Sequence, residues 1–196
     1  PKFLSTSALS FSLEDTKALN VKFDGSEDPN SVIPGLNDMN DTEIPTMLLL
    51  PNISKTDFGL DVDEIDHLEL SDDAKSFFFH MSKMVKNEDA VSGTSEAKTD
   101  TVVMTILTSL AIVWPLNISQ HPLLSFTIKE RKIKANPEFT ISTRNISIVI
   151  VEDKHLRNIS VDNGCGEPQI AAELLAAAYE NRQKNVMGDQ VLFAVR

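Results

Sequence analysis

Two short segments hold residue types that could perform chemistry together: Asn136-Pro-Glu-Phe139 and Ile150-Val-Glu-Asp-Lys-His155. In an extended strand, side chains alternate between faces, so Glu152 and Lys154 share one face and Asp153 takes the other. A carboxylate and an ammonium are costly inside an apolar core, so the pair belongs at the open rim of a sheet. If the strand from Phe139 pairs with the strand from Ile146, Glu138 comes beside Glu152. Two carboxylates at one rim can hold Mg²⁺, which takes oxygen ligands and keeps water for the rest. Lys154 beside such an ion could orient or deprotonate a water and stabilise phosphorane-like charge.

The elements that must position these residues are legible in the pattern. A helix is expected from Ser95 to about Val113, stopped by Trp114-Pro115. Leu123 to Lys134 alternates as a strand, Phe139 to Ser142 is a second, and Asn145 to Asp153 a third. The run Ile146-Ser-Ile-Val-Ile-Val151 is apolar enough for a central strand. After Gly164-Cys-Gly166, Pro168 opens a helix from Gln169 to about Asn181, and Gln190 to Val195 is a last strand. The order helix, three strands, helix, strand gives an α/β or α+β sandwich, with a mixed four-stranded sheet flanked by helices.

Pro137-Glu138, then thirteen residues, then Glu152-Asp153-Lys154 resembles the PD-(D/E)XK signature of restriction-endonuclease-like nucleases. The resemblance covers roughly residues 95–196, and the order of elements around the signature matches that fold. It implies a restriction-endonuclease-like core that hydrolyses phosphodiester bonds with Mg²⁺ or Mn²⁺. Glu138 and Glu152 would be the metal ligands and Lys154 the group serving the water. A glutamate on the first helix and a glutamine on the helix after the third strand often join such sites; Glu96 and Gln169 match those places. The region is also similar in style to the nuclease-like domains of fungal Crinkler-type effectors. Position 138 carries Glu where the signature usually has Asp, which raises an alternative: an inactive fold kept as a protein- or nucleic-acid-binding module.

Each of these residues also has a plain structural reading. Glu152 and Lys154 could form a solvated ion pair at a strand end. Glu138 could be a turn residue, and Glu96 an acid favouring a helix N-terminus. Gln169 and Glu173, four apart, could be a polar stripe on a helix. The cluster Lys129-Glu-Arg-Lys-Ile-Lys134 reads either as a phosphate-backbone contact or as an edge strand protected by charge. His67, His80, His121 and His155 show no zinc spacing, and Cys165 reads as a loop cysteine.

Composition bounds these ideas. The chain has 196 residues and a net charge of −11. Residues 1–90 carry 18 acidic and 7 basic groups, whereas residues 91–196 carry 11 of each. We therefore expect two parts: an acidic N-terminal extension over 1–90, with a helix near 71–86, and a nuclease-like domain over 91–196. An acidic chain is a poor generic nucleic-acid binder, but the neutral C-terminal half is less opposed to phosphate. The expected partners are nucleic acid, DNA before RNA, and a protein engaged through the acidic half. A single cysteine excludes an intramolecular disulfide and favours a reducing, intracellular location, the nucleus included; a secreted effector delivered into a host cell is the other route considered. The most apolar stretch, Thr101 to Leu116, falls short of the roughly 20 residues a bilayer requires, so no membrane is expected. Pro1 in place of Met, and an end at Arg196 within an apolar run, lead us to expect a piece of a longer chain.

Overall fold

The computed structural model describes residues 4–22, 45–50, 52–88, 96–110, 115–152 and 166–195. The protein is a mixed α/β chain that divides into two compact units, 1–24 with 113–196, and 25–112. The expected division at 90/91 cuts across both. The acidity follows the structural division more sharply than the sequence halves. The unit of 25–112 holds 17 acidic and 5 basic residues, while the other holds 12 acidic and 13 basic.

The acidic unit is helical. Its described elements are a 3-10 turn at Thr46–Leu48, another at Lys55–Gly59, and helices α2 (Val62–Asp66), α3 (Asp72–Glu88) and α4 (Glu96–Ser109). Several acids act as helix caps. Asp61 and Glu64 exchange hydrogen bonds with each other's backbone N–H at 2.8 and 3.0 Å. The Ser54 hydroxyl and then its N–H donate to Asp57 Oδ2 at 2.7 and 2.6 Å, holding that carboxyl below the usual carboxylate range. Helix α3 meets the expected one near 71–86, with Ser71 Oγ accepting from Ala74 N at 3.3 Å. It buries Phe77 and Phe78 and packs against α4. Threonines 101, 105 and 108 return their hydroxyls to carbonyls one turn back, which lets a run rich in β-branched residues remain helical. No helix among the described residues is long and apolar enough to cross a membrane.

The other unit contains the sheet. Its elements are a 3-10 turn at Ala8–Ser10, α1 (Leu13–Ala18), β1 (Leu116–Gln120), β2 (Leu124–Ile128), β3 (Arg131–Ala135), β4 (Phe139–Thr143), β5 (Ile146–Val151), α5 (Glu167–Gln183) and β6 (Phe193–Val195). The main sheet runs β1-β4-β5-β6; the first three strands are antiparallel and β6 is parallel to β5. The two-residue turn Arg144-Asn145, with φ of 48° and 66°, joins β4 to β5 as a tight hairpin.

One expectation is corrected. Leu123 to Lys134 is not a single strand of this sheet. It folds back at Lys129, whose backbone is left-handed (φ 56°), into the separate hairpin β2–β3. Its place at the sheet edge is taken by β1, whose alternating Leu116-Asn-Ile-Ser-Gln120 had no assignment. Residues 4–18 also join this unit. Lys134 N donates to Thr6 O at 3.0 Å, and Ala8 and Phe11 enter the core.

That core forms where α5 lies on the strands. Ala172, Ala176 and Ala177 meet Ile150 of β5, Leu124 and Phe126 of β2, and Ile133 and Ala135 of β3. Alanines let the helix backbone come close, and larger residues further along would hold it off. At the end of the stripe, buried Asn181 acts as a clasp. Its Oδ1 accepts from Ser147 N at 2.9 Å and its Nδ2 donates to Ser147 O at 2.8 Å. Asn181→Ala leaves both backbone groups of Ser147 unsatisfied inside the protein. We expect it to lower the unfolding free energy by about 2–4 kcal/mol in urea titrations; an unchanged midpoint would contradict this role.

Candidate metal and carboxylate site

The site is built at one end of β4 and β5. Phe139 pairs with Val151, so the antiparallel register carried one residue further sets Glu138 opposite Glu152. The ladder continues outward on both sides. Gln120 pairs with Phe139, and His121 N donates to Glu138 O at 2.7 Å; on the other side Glu152 N donates to Val195 O at 3.0 Å. His121, Glu138 and Glu152 thus terminate three neighbouring strands in one row. The register thus brings Glu138 and Glu152 to the ends of adjacent strands.

Glu152 is buried, with 1% of its surface exposed. It follows Ile150 by two residues and so faces α5, as Ile150 does. There it meets Gln169, whose Nε2 donates to Glu152 Oε1 at 2.5 Å and to Glu173 Oε1 at 2.8 Å. Glu173 is fully buried. Gln169 and Glu173 lie one helical turn apart, so one amide nitrogen spans two carboxylates from two elements. Burial of acids at the end of an apolar strand requires such donors.

Glu138 is positioned differently. Pro137, fully buried, fixes the chain before it. Its Oε2 lies 2.9 Å from His121 Nδ1. The His121 ring stacks on Phe139, with centroids 6.4 Å apart and planes at 26°. His121 escaped the sequence reading because its neighbour is supplied by β1–β4 pairing, and no local spacing announces that. Glu173 had a local signal, its four-residue offset from Gln169, but that offset alone equally describes a surface stripe.

Glu96 opens α4 in the acidic unit. Lys154 and His155, with Cys165, lie outside the described residues. Within the sheet unit the groups shown in contact are the Glu138 carboxylate and the His121 imidazole, an oxygen and nitrogen pair of the kind that divalent ions such as Mg²⁺ or Mn²⁺ accept.

Gln169→Leu removes the amide shared by two buried carboxylates while nearly conserving volume. The expected loss is about 1–3 kcal/mol of stability in urea unfolding, whereas Gln183→Leu on the exposed end of α5 is expected to be near neutral. Equal effects of the two substitutions would show that the amide bridge does not hold the site. No family model, characterised protein or solved structure matches the chain.

Proposed function

We propose that the sheet unit is a metal-dependent nuclease of the PD-(D/E)XK kind, acting on phosphodiester bonds, in DNA before RNA. The observation that carries the reading is the buried Glu152 at the end of a central strand, hydrogen-bonded by Gln169 from the following helix, with Glu138 opposite it on the adjacent strand. The order of elements also supports it: three antiparallel strands, β1-β4-β5, then α5, then β6 parallel to β5. The β2–β3 hairpin is an insertion between the first two of these strands.

In this reading Glu138 and Glu152 hold Mg²⁺ or Mn²⁺, which supplies charge neutralisation and an acidified water. Gln169 fixes the rotamer of Glu152 through its 2.5 Å hydrogen bond. His121 does the same for Glu138 from β1. Lys154 serves the attacking water. The near-neutral charge of this unit removes the objection raised by the net −11 of the chain. On β3, Lys132 and Lys134 are exposed and share one face, which suits contact with a phosphate backbone.

A second reading rests on the same hydrogen bonds. Glu138 and Glu152 already have protein partners in His121 and Gln169, as they would in an inactive fold retained as a binding module. The acidic helical unit would then be the part that engages a protein partner.

Glu152→Gln separates the two readings, because the amide keeps an Oε1 acceptor for Gln169 but loses a metal-binding charge. Cleavage of plasmid DNA with Mn²⁺ is expected to fall by about 100-fold or more in Glu152→Gln and in Lys154→Ala. Circular dichroism should remain that of the parent. Salt-sensitive DNA binding by the parent protein without any cleavage would favour the binding module.

A further inference from the structure

Five asparagines stand in the pattern Asn-x-Ser/Thr, at Asn40, Asn52, Asn117, Asn145 and Asn158, and the last four share the form Asn-Ile-Ser. Random placement of 13 asparagines and of 31 serines and threonines over 196 residues gives about two such patterns. This pattern is the acceptor signal for N-glycosylation, and a glycan is bulky and hydrated, so its asparagine must lie at the surface.

Asn40 and Asn158 lie outside the described residues. The other three asparagines are all exposed. Asn52 and Asn145 have left-handed backbones, with φ of 64° and 66°, and each stands at a turn. Asn117 lies on β1, at an edge of the main sheet. Its Nδ2 donates to Ser119 Oγ at 3.4 Å, so the acceptor nitrogen and the hydroxyl of the pattern share one face of the strand. The two acceptors of the sheet unit lie at the same end of the sheet. Asn117 pairs with Ser142, and Asn145 belongs to the β4–β5 turn, whereas His121, Glu138 and Glu152 terminate the strands at the opposite end. From Glu138 to Ser142, strand β4 separates the two ends by about 13 Å.

We propose that Asn52, Asn117 and Asn145 are N-glycosylated, and that the chain passes through the secretory pathway to receive these glycans. In each case Nδ2 attacks C1 of an oligosaccharide carried on a lipid diphosphate. The Nδ2–C1 bond forms and the C1–O bond to the diphosphate breaks. The lipid diphosphate leaves with the electron pair, one amide proton passes to a base of the transferase, and nothing is oxidised or reduced. A chain with one cysteine has no intramolecular disulfide to form on this route. The glycans on Asn117 and Asn145 would leave the row of strand ends uncovered. The inference does not depend on the nuclease reading.

The test is peptide mass spectrometry of the chain purified from the cells that make it. Peptide-N-glycosidase F releases N-glycans and leaves Asp in place of Asn; in heavy-oxygen water the new carboxylate is labelled, which separates it from spontaneous deamidation. Labelled Asp is expected at positions 52, 117 and 145. In addition, the full chain directed by a cleavable leader into the endoplasmic reticulum of cultured eukaryotic cells should migrate as a glycoprotein. Asn117→Gln and Ser119→Ala should each remove the same single glycan. Asn145→Asp should remove another, and aspartate tolerates the left-handed backbone there, so the fold should persist. Unlabelled asparagine at all three positions of the native chain, or unchanged migration of these variants, would overturn the proposal.

Discussion

One amide nitrogen holds the sheet unit's polar interior together. Gln169 Nε2 donates to a carboxylate just past the end of β5 and to another on its own helix, and both acids are buried. An apolar sheet end can tolerate two such groups only if donors meet them. The position of α5 follows from this. The helix must start close enough to the end of β5 for a glutamine to reach, and its alanine stripe allows that approach. At its other end Glu180 accepts from Ser125 N at 3.0 Å and Asn181 clasps Ser147. The buried face of α5 is therefore polar, then apolar, then polar, and each polar end satisfies the strand it meets.

The same constraint shapes the row of strand ends. Glu138 comes opposite Glu152 by register, and β1 brings His121 within 2.9 Å of Glu138. The side chains at this rim are thus oriented by backbone pairing on one side and by α5 on the other. Such orientation is what a metal-dependent hydrolytic site requires, because a small displacement of a ligand costs much of the rate. The segregation of charge fits the same division of labour. The helical unit takes all of the chain's excess acid, four of its acids in the first turns of α2 and α3, and leaves the sheet unit close to neutral.

Much of this was legible in the sequence where the signal is local. The apolar run of β5, the turn before β4, the Pro168 start of α5 and the Ser71 cap of α3 each declare themselves through propensity or period. The bend at Lys129 did not, because the turn lacks Gly, Asn or Pro and a lysine takes the left-handed conformation. The membership of residues 4–18 in the sheet unit did not either, since it depends on pairing with Lys134 more than a hundred residues away. His121 was hidden for that reason too. The chemical types at Glu138, Glu152 and Gln169 could be read, whereas their mutual approach required the fold.

Binding of Mn²⁺, followed by the loss of its free-ion paramagnetic resonance signal, addresses the central claim before any question of turnover. The account predicts saturable binding by the parent chain, lost when Glu138 and Glu152 are both changed to Gln with the fold intact. Undiminished binding in that double variant, or none in the parent, would contradict a metal held between these two strand ends.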